Sequence, residues 1–128
     1  MAKYLSQEWL DDLRELAATQ PPRPGASARI QWVVGGAPDG DVKYWWHLDD
    51  GRLIDCGLGA ADDADITLTY QYDDARKVAL GELDPNAAFM QGRMKVAGDL
   101  GKLMQLLPIT ASSEYRALQD ELRERTQF

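Results

Sequence analysis

The sequence predicts an α+β domain in which one five-stranded β-sheet is covered by about five helices. Five segments alternate apolar and polar residues with the period of two that is typical of strands. The other segments place apolar residues three and four positions apart, which is the spacing of helices that cover a sheet. A chain of 128 residues has the length of one ordinary domain, so we expect one core and a single domain over residues 1–128.

The first predicted helix begins at Ser6, a residue type that often caps helix N-termini. Its apolar face carries Trp9, Leu13 and Leu16. The proline-rich run over residues 21–25 must end the helix, because proline cannot continue one. We interpret this run as a connector that leads into the sheet.

Three strands come next, over residues 28–34, 42–48 and 53–58, and glycine-containing turns between them predict an antiparallel meander. In the first two strands every second residue is apolar. Trp32 and Trp46 are therefore expected on the inner face, which packs against the helices.

The outer face of the meander is expected to carry Trp45 and His47. A tryptophan there indicates that this face is not fully solvated. Tryptophans are more often core residues than ligand contacts, because their large area dominates core energetics. We interpret His47 as a polar residue of the outer face and not as a catalytic group.

The second half of the chain supplies the remaining elements. Residues 64–70 alternate as a fourth strand, and Asp73 is expected to cap the helix that follows. A terminal helix is expected to begin at Ser112 or Ser113, with one apolar face that carries Tyr115, Leu118 and Leu122.

The stretch over residues 81–107 is the richest in start and stop signals. Asp84-Pro85 predicts the start of a short helix, residues 93–96 alternate as the fifth strand, and a further helix is expected from Asp99 until Pro108 ends it. The apolar side chains of these three elements are expected to form one lining: Phe89, Met90, Met94, Leu100, Leu103, Met104 and Leu107.

Charge and cysteine content exclude several function classes. The formal net charge is −7, and residues 39–74 hold ten acidic residues against only Lys43 and Arg52. This argues against nucleic acid and against an electrostatic grip on anionic lipids, since both need clustered basic residues. The lone Cys56 cannot form an internal disulfide, so a reducing compartment is expected.

The N-terminus lacks the apolar core of a signal peptide, and no window approaches the length of a membrane span. The last three residues do not match a peroxisomal tripeptide of the Ser-Lys-Leu kind. We therefore expect a cytoplasmic protein without stable membrane insertion.

No metal-ligand cluster, phosphate-binding glycine loop or serine–histidine–acid arrangement stands out in the sequence. We expect neither an enzyme nor a bound cofactor or metal. The methionine-rich lining instead suits irregular apolar shapes, because thioether side chains are flexible and polarisable. The alternative interpretation of such a stripe is an ordinary hydrophobic core.

Several runs within the chain match a known pattern. Residues 81–85 read GELDP, residues 88–96 read AFMQGRMKV and residues 98–100 read GDL, while residues 64–69 read ADITLT before a helix. Together they resemble the signature of the sterol carrier protein 2 (sterol-binding) family, over roughly residues 25–110.

The resemblance implies a mixed sheet with strand order 3-2-1-4-5, counted along the chain. It also implies a hydrophobic tunnel between the sheet and the helices, which holds a fatty acid, a fatty acyl-CoA or a sterol. The terminal helix would cover this tunnel, and Gln91 would be its polar contact for a head group. The expected ligand-binding residues are Trp32, Trp46, Phe89, Met90, Gln91, Met94, Leu100, Leu103, Met104, Leu107, Tyr115 and Leu118.

We therefore expect a non-enzymatic protein that binds such a lipid and could transfer it within the cell, with an enzyme of lipid metabolism as a conceivable partner. The alternative is an accessory module whose apolar groove docks a partner protein. A small enzyme that uses His47 or an aspartate as a base on a hydrophobic substrate ranks last.

Overall fold

The computed structural model describes residues 1–128, the whole chain. Its elements follow one another in the order β1 (Ala2–Lys3), α1 (Gln7–Ala17), β2 (Ala28–Gly35), β3 (Val42–Asp49), β4 (Arg52–Leu58), β5 (Ile66–Gln71), α2 (Tyr72–Ala79), α3 (Pro85–Met90), β6 (Met94–Gly98), α4 (Leu100–Thr110), α5 (Ser113–Glu124) and β7 (Thr126–Gln127).

The five predicted strands are β2 to β6, and they form one mixed sheet in the order β4-β3-β2-β5-β6. Counted along the chain this is the expected order 3-2-1-4-5. Strands β2 and β5 run parallel, whereas the other neighbouring pairs are antiparallel. The predicted fold class, an α+β domain with a five-stranded mixed sheet, is confirmed.

A second, two-stranded sheet joins the ends of the chain and was not expected from the sequence. Strands β1 and β7 run parallel, and the Tyr4 amide donates to the Gln127 carbonyl at 3.0 Å. The ring of Tyr4 lies 5.2 Å from that of Phe128. Strands of two residues carry no readable period, so the pattern could not predict them.

The core lies between the helices and the inner face of the large sheet, where Leu10, Val34 and Ile66 are fully buried. Helix α1 begins at Ser6, as predicted, and the Ser6 hydroxyl accepts a hydrogen bond from the Trp9 amide. Helix α5 begins after the alternative cap Ser112. None of the helices combines the length and hydrophobicity that crossing a membrane requires.

The outer face of the sheet is partly covered by the loop after β4, as Trp45 suggested. The buried Gln31 side chain donates from Nε2 to the carbonyls of Tyr44 and Gly59, and its Oε1 accepts from the Ala61 amide. Trp45 packs on Gly57, where a Cβ atom would lie only 2.9 Å from the indole ring. These contacts fix the loop against the outer face of the sheet. The inner face is therefore the one that is available for a site.

Two helix boundaries differ from the prediction. Helix α2 begins at Tyr72 after Gln71, so Asp73 lies in its first turn and does not cap it. Helix α4 runs through Pro108 to Thr110. A proline this near the C-terminus removes only one backbone hydrogen bond, and the Thr110 hydroxyl supplies another to the Leu107 carbonyl at 2.7 Å.

The aspartate of the ADITLT run fastens three elements at one corner of the sheet. The Asp65 carboxylate accepts from the Arg29 amide at 2.9 Å and pairs with the Lys102 ammonium of α4 at 3.2 Å. The Asp65 carbonyl accepts from the Asp99 amide, and Gly98, with φ +109°, leaves no room there for a Cβ atom. The hydrogen bond from Arg29 and the nearby Lys102 lower the pKa of Asp65.

Replacing Asp65 with Asn is expected to lower the free energy of unfolding by about 1 kcal/mol near neutral pH, because the contacts to the carboxylate weaken. The folded-state pKa lies below the unfolded value of about 3.9. The stabilisation is therefore present at neutral pH and is lost as the pH falls through the folded-state pKa.

Urea unfolding of the wild type and Asp65→Asn over a series of acidic pH values measures this. Asp62→Asn, at an exposed carboxylate nearby, is the control. A difference between wild type and Asp65→Asn that stayed constant into strong acid would contradict the role of Asp65.

Candidate functional site

An apolar cavity of about 580 Å³ lies between the inner face of the sheet and the helices. Hydrophobic residues make up 23 of its 34 lining residues, so its walls suit a hydrocarbon better than a charged molecule. The sheet side consists of inward-facing residues on neighbouring strands: Ile30, Trp32, Tyr44, Trp46, Leu48, Leu53, Leu68, Tyr70 and Met94. The helix side includes Trp9, Leu13, Ala75, Leu103, Leu106 and Leu118.

Aromatic rings form the centre of the sheet side. Trp32 stacks nearly parallel between Tyr44, with ring centroids 5.8 Å apart, and Tyr70, at 6.0 Å. The Trp46 ring lies 4.9 Å from that of Trp32. Trp32 and Tyr44 are register partners, and side chains opposite each other in a sheet come into contact.

The ionisable groups of this wall are held neutral. Burial raises the pKa of Tyr44 well above its usual value and raises the pKa of Tyr115 to about 12. Outside the cavity lining, burial raises the pKa of the Cys56 thiol to about 11, and its Sγ donates to the Leu10 carbonyl at 3.5 Å. A thiol with a raised pKa is a poor nucleophile, which indicates a structural role for Cys56.

Seven of the twelve predicted ligand-binding residues do line the cavity. They come from strands β2, β3 and β6 and helices α4 and α5, which the fold brings together around one space: Trp32, Trp46, Met94, Leu103, Leu107, Tyr115 and Leu118. Whether each contacts a ligand stays a prediction.

The other five do not line the cavity, so their predicted place in the lining is wrong. Met90 is 81% exposed, Leu100 is 56% exposed and Met104 is 61% exposed. Gln91 is exposed at the end of α3, and Phe89 is half-buried against the core.

The error has a physical reason in helix α4, whose sequence is apolar on almost every side. The predicted face took Leu100 and Met104 together with Leu103. The buried face is instead centred on Leu103 and Leu106, about a quarter of a turn away. When most positions are apolar, spacing alone cannot select the face that turns inward.

Sequence reasoning did not predict the polar contacts that hold the two ends of α5 over the cavity. At the start of α5, the Arg23 guanidinium donates to the Gln20 side chain at 3.2 Å, to the Ser112 hydroxyl at 3.1 Å and to the Gly51 carbonyl at 3.3 Å. At the other end, Arg123 donates to the Ala79 carbonyl at 3.2 Å.

The two arginines differ in their partners. Arg123 pairs with Asp120 at 3.1 Å, whereas none of the ion pairs in the structure involves Arg23, which lines the cavity and is half-buried. Arg23 lies in the proline-rich run that we interpreted as a connector. Its partners Gly51 and Ser112 lie 28 and 89 residues away along the chain, so no local pattern could predict its position.

A mixed sheet and a helical layer that enclose an apolar cavity define a lipid-binding class of domain. Residues 10–110 match the model of the SCP-2 sterol transfer family. Because this match covers most of the chain, the chain belongs to that family, and the resemblance found in the sequence is confirmed. A comparison with curated proteins gave no match.

Solved structures of sterol carrier proteins have a similar fold. A crystal structure of sterol carrier protein 2 matches with a TM-score of 0.71 at 17% identity, over 95% of this chain and 98% of that one. Palmitated SCP2L2 from Aedes aegypti matches with a TM-score of 0.65 at 18% identity, over 83% of this chain and 94% of that one. The apo form of sterol carrier protein 2 from Yarrowia lipolytica matches with a TM-score of 0.51 at 26% identity, over 62% and 69%.

The position of Leu103 and Met104 on α4 can be tested by placing the same charge at each. Leu103→Asp is expected to lower the free energy of unfolding by about 3 kcal/mol or more, because a carboxylate enters the buried apolar layer. Met104→Asp is expected to cost less than about 1 kcal/mol, because its side chain is exposed. Chemical denaturation measures both values, and equal losses would contradict this orientation of α4.

Proposed function

We propose that this protein binds one hydrophobic lipid, a fatty acid, fatty acyl-CoA or sterol, in the cavity between sheet and helices. The observation that carries the proposal is the cavity itself, about 580 Å³ in volume and apolar on most sides. Ligand sites commonly measure several hundred cubic ångströms and combine apolar walls with a few polar groups. Transfer of the lipid within the cytoplasm would follow from reversible binding.

The energetics of burying an acyl chain are sufficient. At about 0.8 kcal/mol per methylene, a sixteen-carbon chain gains roughly 12 kcal/mol when it leaves water. Association and ordering cost several kcal/mol of this, which leaves an affinity of about micromolar. The Aedes aegypti relative is described as palmitated, which supports an acyl chain as the bound group.

Arg23 favours a lipid with an anionic head group. Its Nη2 makes two hydrogen bonds and its Nη1 makes one, so the Nε–H and one Nη1–H of the guanidinium make no hydrogen bond. One carboxylate oxygen can accept from either of these two N–H groups, and such a charged hydrogen bond is stronger than a neutral one. We therefore assign the head group to Arg23 and not to Gln91, which is exposed outside the cavity lining.

Binding without chemical conversion fits the groups that line the cavity. Phenols are neutral near pH 7, and burial raises the pKa of Tyr44 and Tyr70 further, so these tyrosines are poor bases and poor acids there. His47 lies on the outer face of the sheet, paired in register with Arg29 and Asp55. This position does not favour the alternative in which His47 acts as a base on a lipid in the cavity.

The second candidate, docking of a partner protein, is favoured by the exposed apolar side chains Met90, Leu100 and Met104 on α3 and α4. An enzyme of lipid metabolism would be a suitable partner, since docking and lipid delivery could then occur together. A protein that takes up no lipid at all would leave docking as the remaining function.

Titration with palmitate and with hexadecanol, which has the same chain and no charge, tests the proposal. The wild type is expected to bind both, with palmitate bound at about micromolar Kd. Arg23→Gln is expected to weaken palmitate binding about 10- to 100-fold and to leave hexadecanol binding nearly unchanged, because only the charged head group loses its partner.

Arg123→Gln is the matched control, since Arg123 also fastens α5 but already has Asp120 as its partner. Thermal unfolding shows whether either change loosens α5. Failure of the wild type to bind either lipid would contradict lipid binding, and an equal loss for both lipids in Arg23→Gln would contradict the head-group assignment.

A further inference from the structure

Three tyrosine hydroxyls in the cavity wall have no hydrogen-bond partner. Tyr4, Tyr44 and Tyr70 line the cavity, and none of their side chains makes a hydrogen bond to the protein. All three residues are buried, with at most 9% of their surface exposed. A buried tyrosine usually has a partner for its hydroxyl, so three without one are an exception.

These hydroxyls are accessible from inside the cavity. The indole nitrogens of Trp32 and Trp46 are the only fully enclosed side-chain nitrogen or oxygen atoms that make no hydrogen bond. The hydroxyls of Tyr4, Tyr44 and Tyr70 also make none, so each of them keeps accessible surface. A molecule in the cavity that they line can therefore reach them.

The three residues lie together, and we call them the tyrosine cluster. The rings of Tyr44 and Tyr70 flank that of Trp32, with centroids 5.8 and 6.0 Å from it. The Trp9 ring lies 5.1 Å from that of Tyr4 and 5.5 Å from that of Tyr44. Burial raises the pKa of Tyr44, and the nearby phenols of Tyr4 and Tyr70 raise it further.

The sheet places the tyrosine cluster and Arg23 at opposite ends of the cavity. Arg23 donates to the carbonyl of Gly51, in the turn between β3 and β4, and this turn is level with the start of β2. Tyr70 is the register partner of Val34, the last residue but one of β2.

Helix α1 separates the same two ends. Trp9 in its first turn contacts Tyr44, whereas Gln20, beyond its C-terminus, accepts from Arg23. The 11 residues of α1 span about 16 Å. A lipid anchored by its carboxylate at Arg23, which is the proposed function on which this inference rests, would therefore direct its tail toward the tyrosine cluster.

The chemistry of the cluster favours a neutral hydroxyl group. A phenol both donates and accepts a hydrogen bond, and so does an alcohol. A second carboxylate is disfavoured there, because burial raises the pKa of Tyr70 and the nearby carboxylates of Asp74 and Asp84 raise it further. A terminal methyl group would leave the phenols unpaired.

We propose that the tyrosine cluster binds a hydroxyl group at the tail end of the lipid. The cavity then selects fatty acids that carry a hydroxyl on the terminal carbon over unsubstituted fatty acids of the same length. In a wholly apolar cavity the same hydroxyl would weaken binding, because it would lose its hydrogen bonds to water. No covalent step is involved.

The test compares each ω-hydroxy fatty acid with the unsubstituted acid that has one more carbon. The two members of a pair have equal numbers of non-hydrogen atoms, so only the terminal hydroxyl or methyl differs. The ω-hydroxy derivatives of dodecanoic, tetradecanoic and hexadecanoic acid vary the length. The wild type is expected to bind the best-fitting hydroxy acid about fivefold more tightly than its pair, the gain of a neutral hydrogen bond.

Tyr44→Phe and Tyr70→Phe each remove one hydroxyl and keep the ring. Each is expected to lose most of this preference while binding the unsubstituted acid within about threefold of the wild type. Neither should unfold at a lower temperature than the wild type, since the hydroxyls have no protein partner. Tyr72→Phe is the matched control, because Tyr72 packs on Tyr4 at 6.2 Å but does not line the cavity.

Arg23→Gln tests the placement at opposite ends. It is expected to weaken both members of a pair by the same factor, because distant sites act independently. A preference that changed in Arg23→Gln, or that stayed unchanged in both Tyr44→Phe and Tyr70→Phe, would overturn the assignment.

The outcomes separate the two proposals. If the unsubstituted acids bind but no hydroxy acid binds more tightly than its pair, the role of the tyrosine cluster is wrong and lipid binding stands. If no acid of either kind binds, the proposed function itself is wrong.

Discussion

The structure depends on a large apolar space that the helices cover but do not fill. Protein interiors are otherwise close-packed, and an empty cavity costs about 24 cal/mol per Å³. The apolar side chains around a space of 580 Å³ lack packing partners that a filled core would give them. A molecule that bound there would supply some of these contacts and so stabilise the folded state.

The polar contacts are arranged so that this space stays open. Arg23 and Arg123 fasten the two ends of α5 to loops and to α2, which holds the helix above the sheet without apolar collapse. Asp65 fastens α4 to the corner of the sheet, and Gln31 fixes the loop that covers the outer face. Polar contacts therefore hold the helices and loops at the periphery of the domain. Apolar and aromatic side chains surround the cavity at its centre.

The sequence predicted well what depends on local pattern. Alternation gave all five strands of the large sheet, and Ser6 and Ser112 were found because caps are local signals. The position of β2 beside β5 came from family resemblance, since alternation does not choose the partner of a strand.

The site was predicted only in part, because some of its residues are placed by long-range packing and not by local pattern. Trp32, Trp46 and Met94 were found because a strand has only two faces. Leu100 and Met104 were misplaced because α4 is apolar on almost every side, and Arg23 was missed because its contacts to Gly51 and Ser112 are long-range. The unpaired indole nitrogens are a property of packing that no pattern in one strand could reveal.

Native mass spectrometry of freshly purified protein, followed by denaturing extraction, tests the central claim most directly. The account predicts one lipid per chain, retained through mild purification and identified after extraction as a molecule with a hydrocarbon body and a polar head. Protein that is empty on isolation, and that also fails to take up a fluorescent fatty acid, would contradict it.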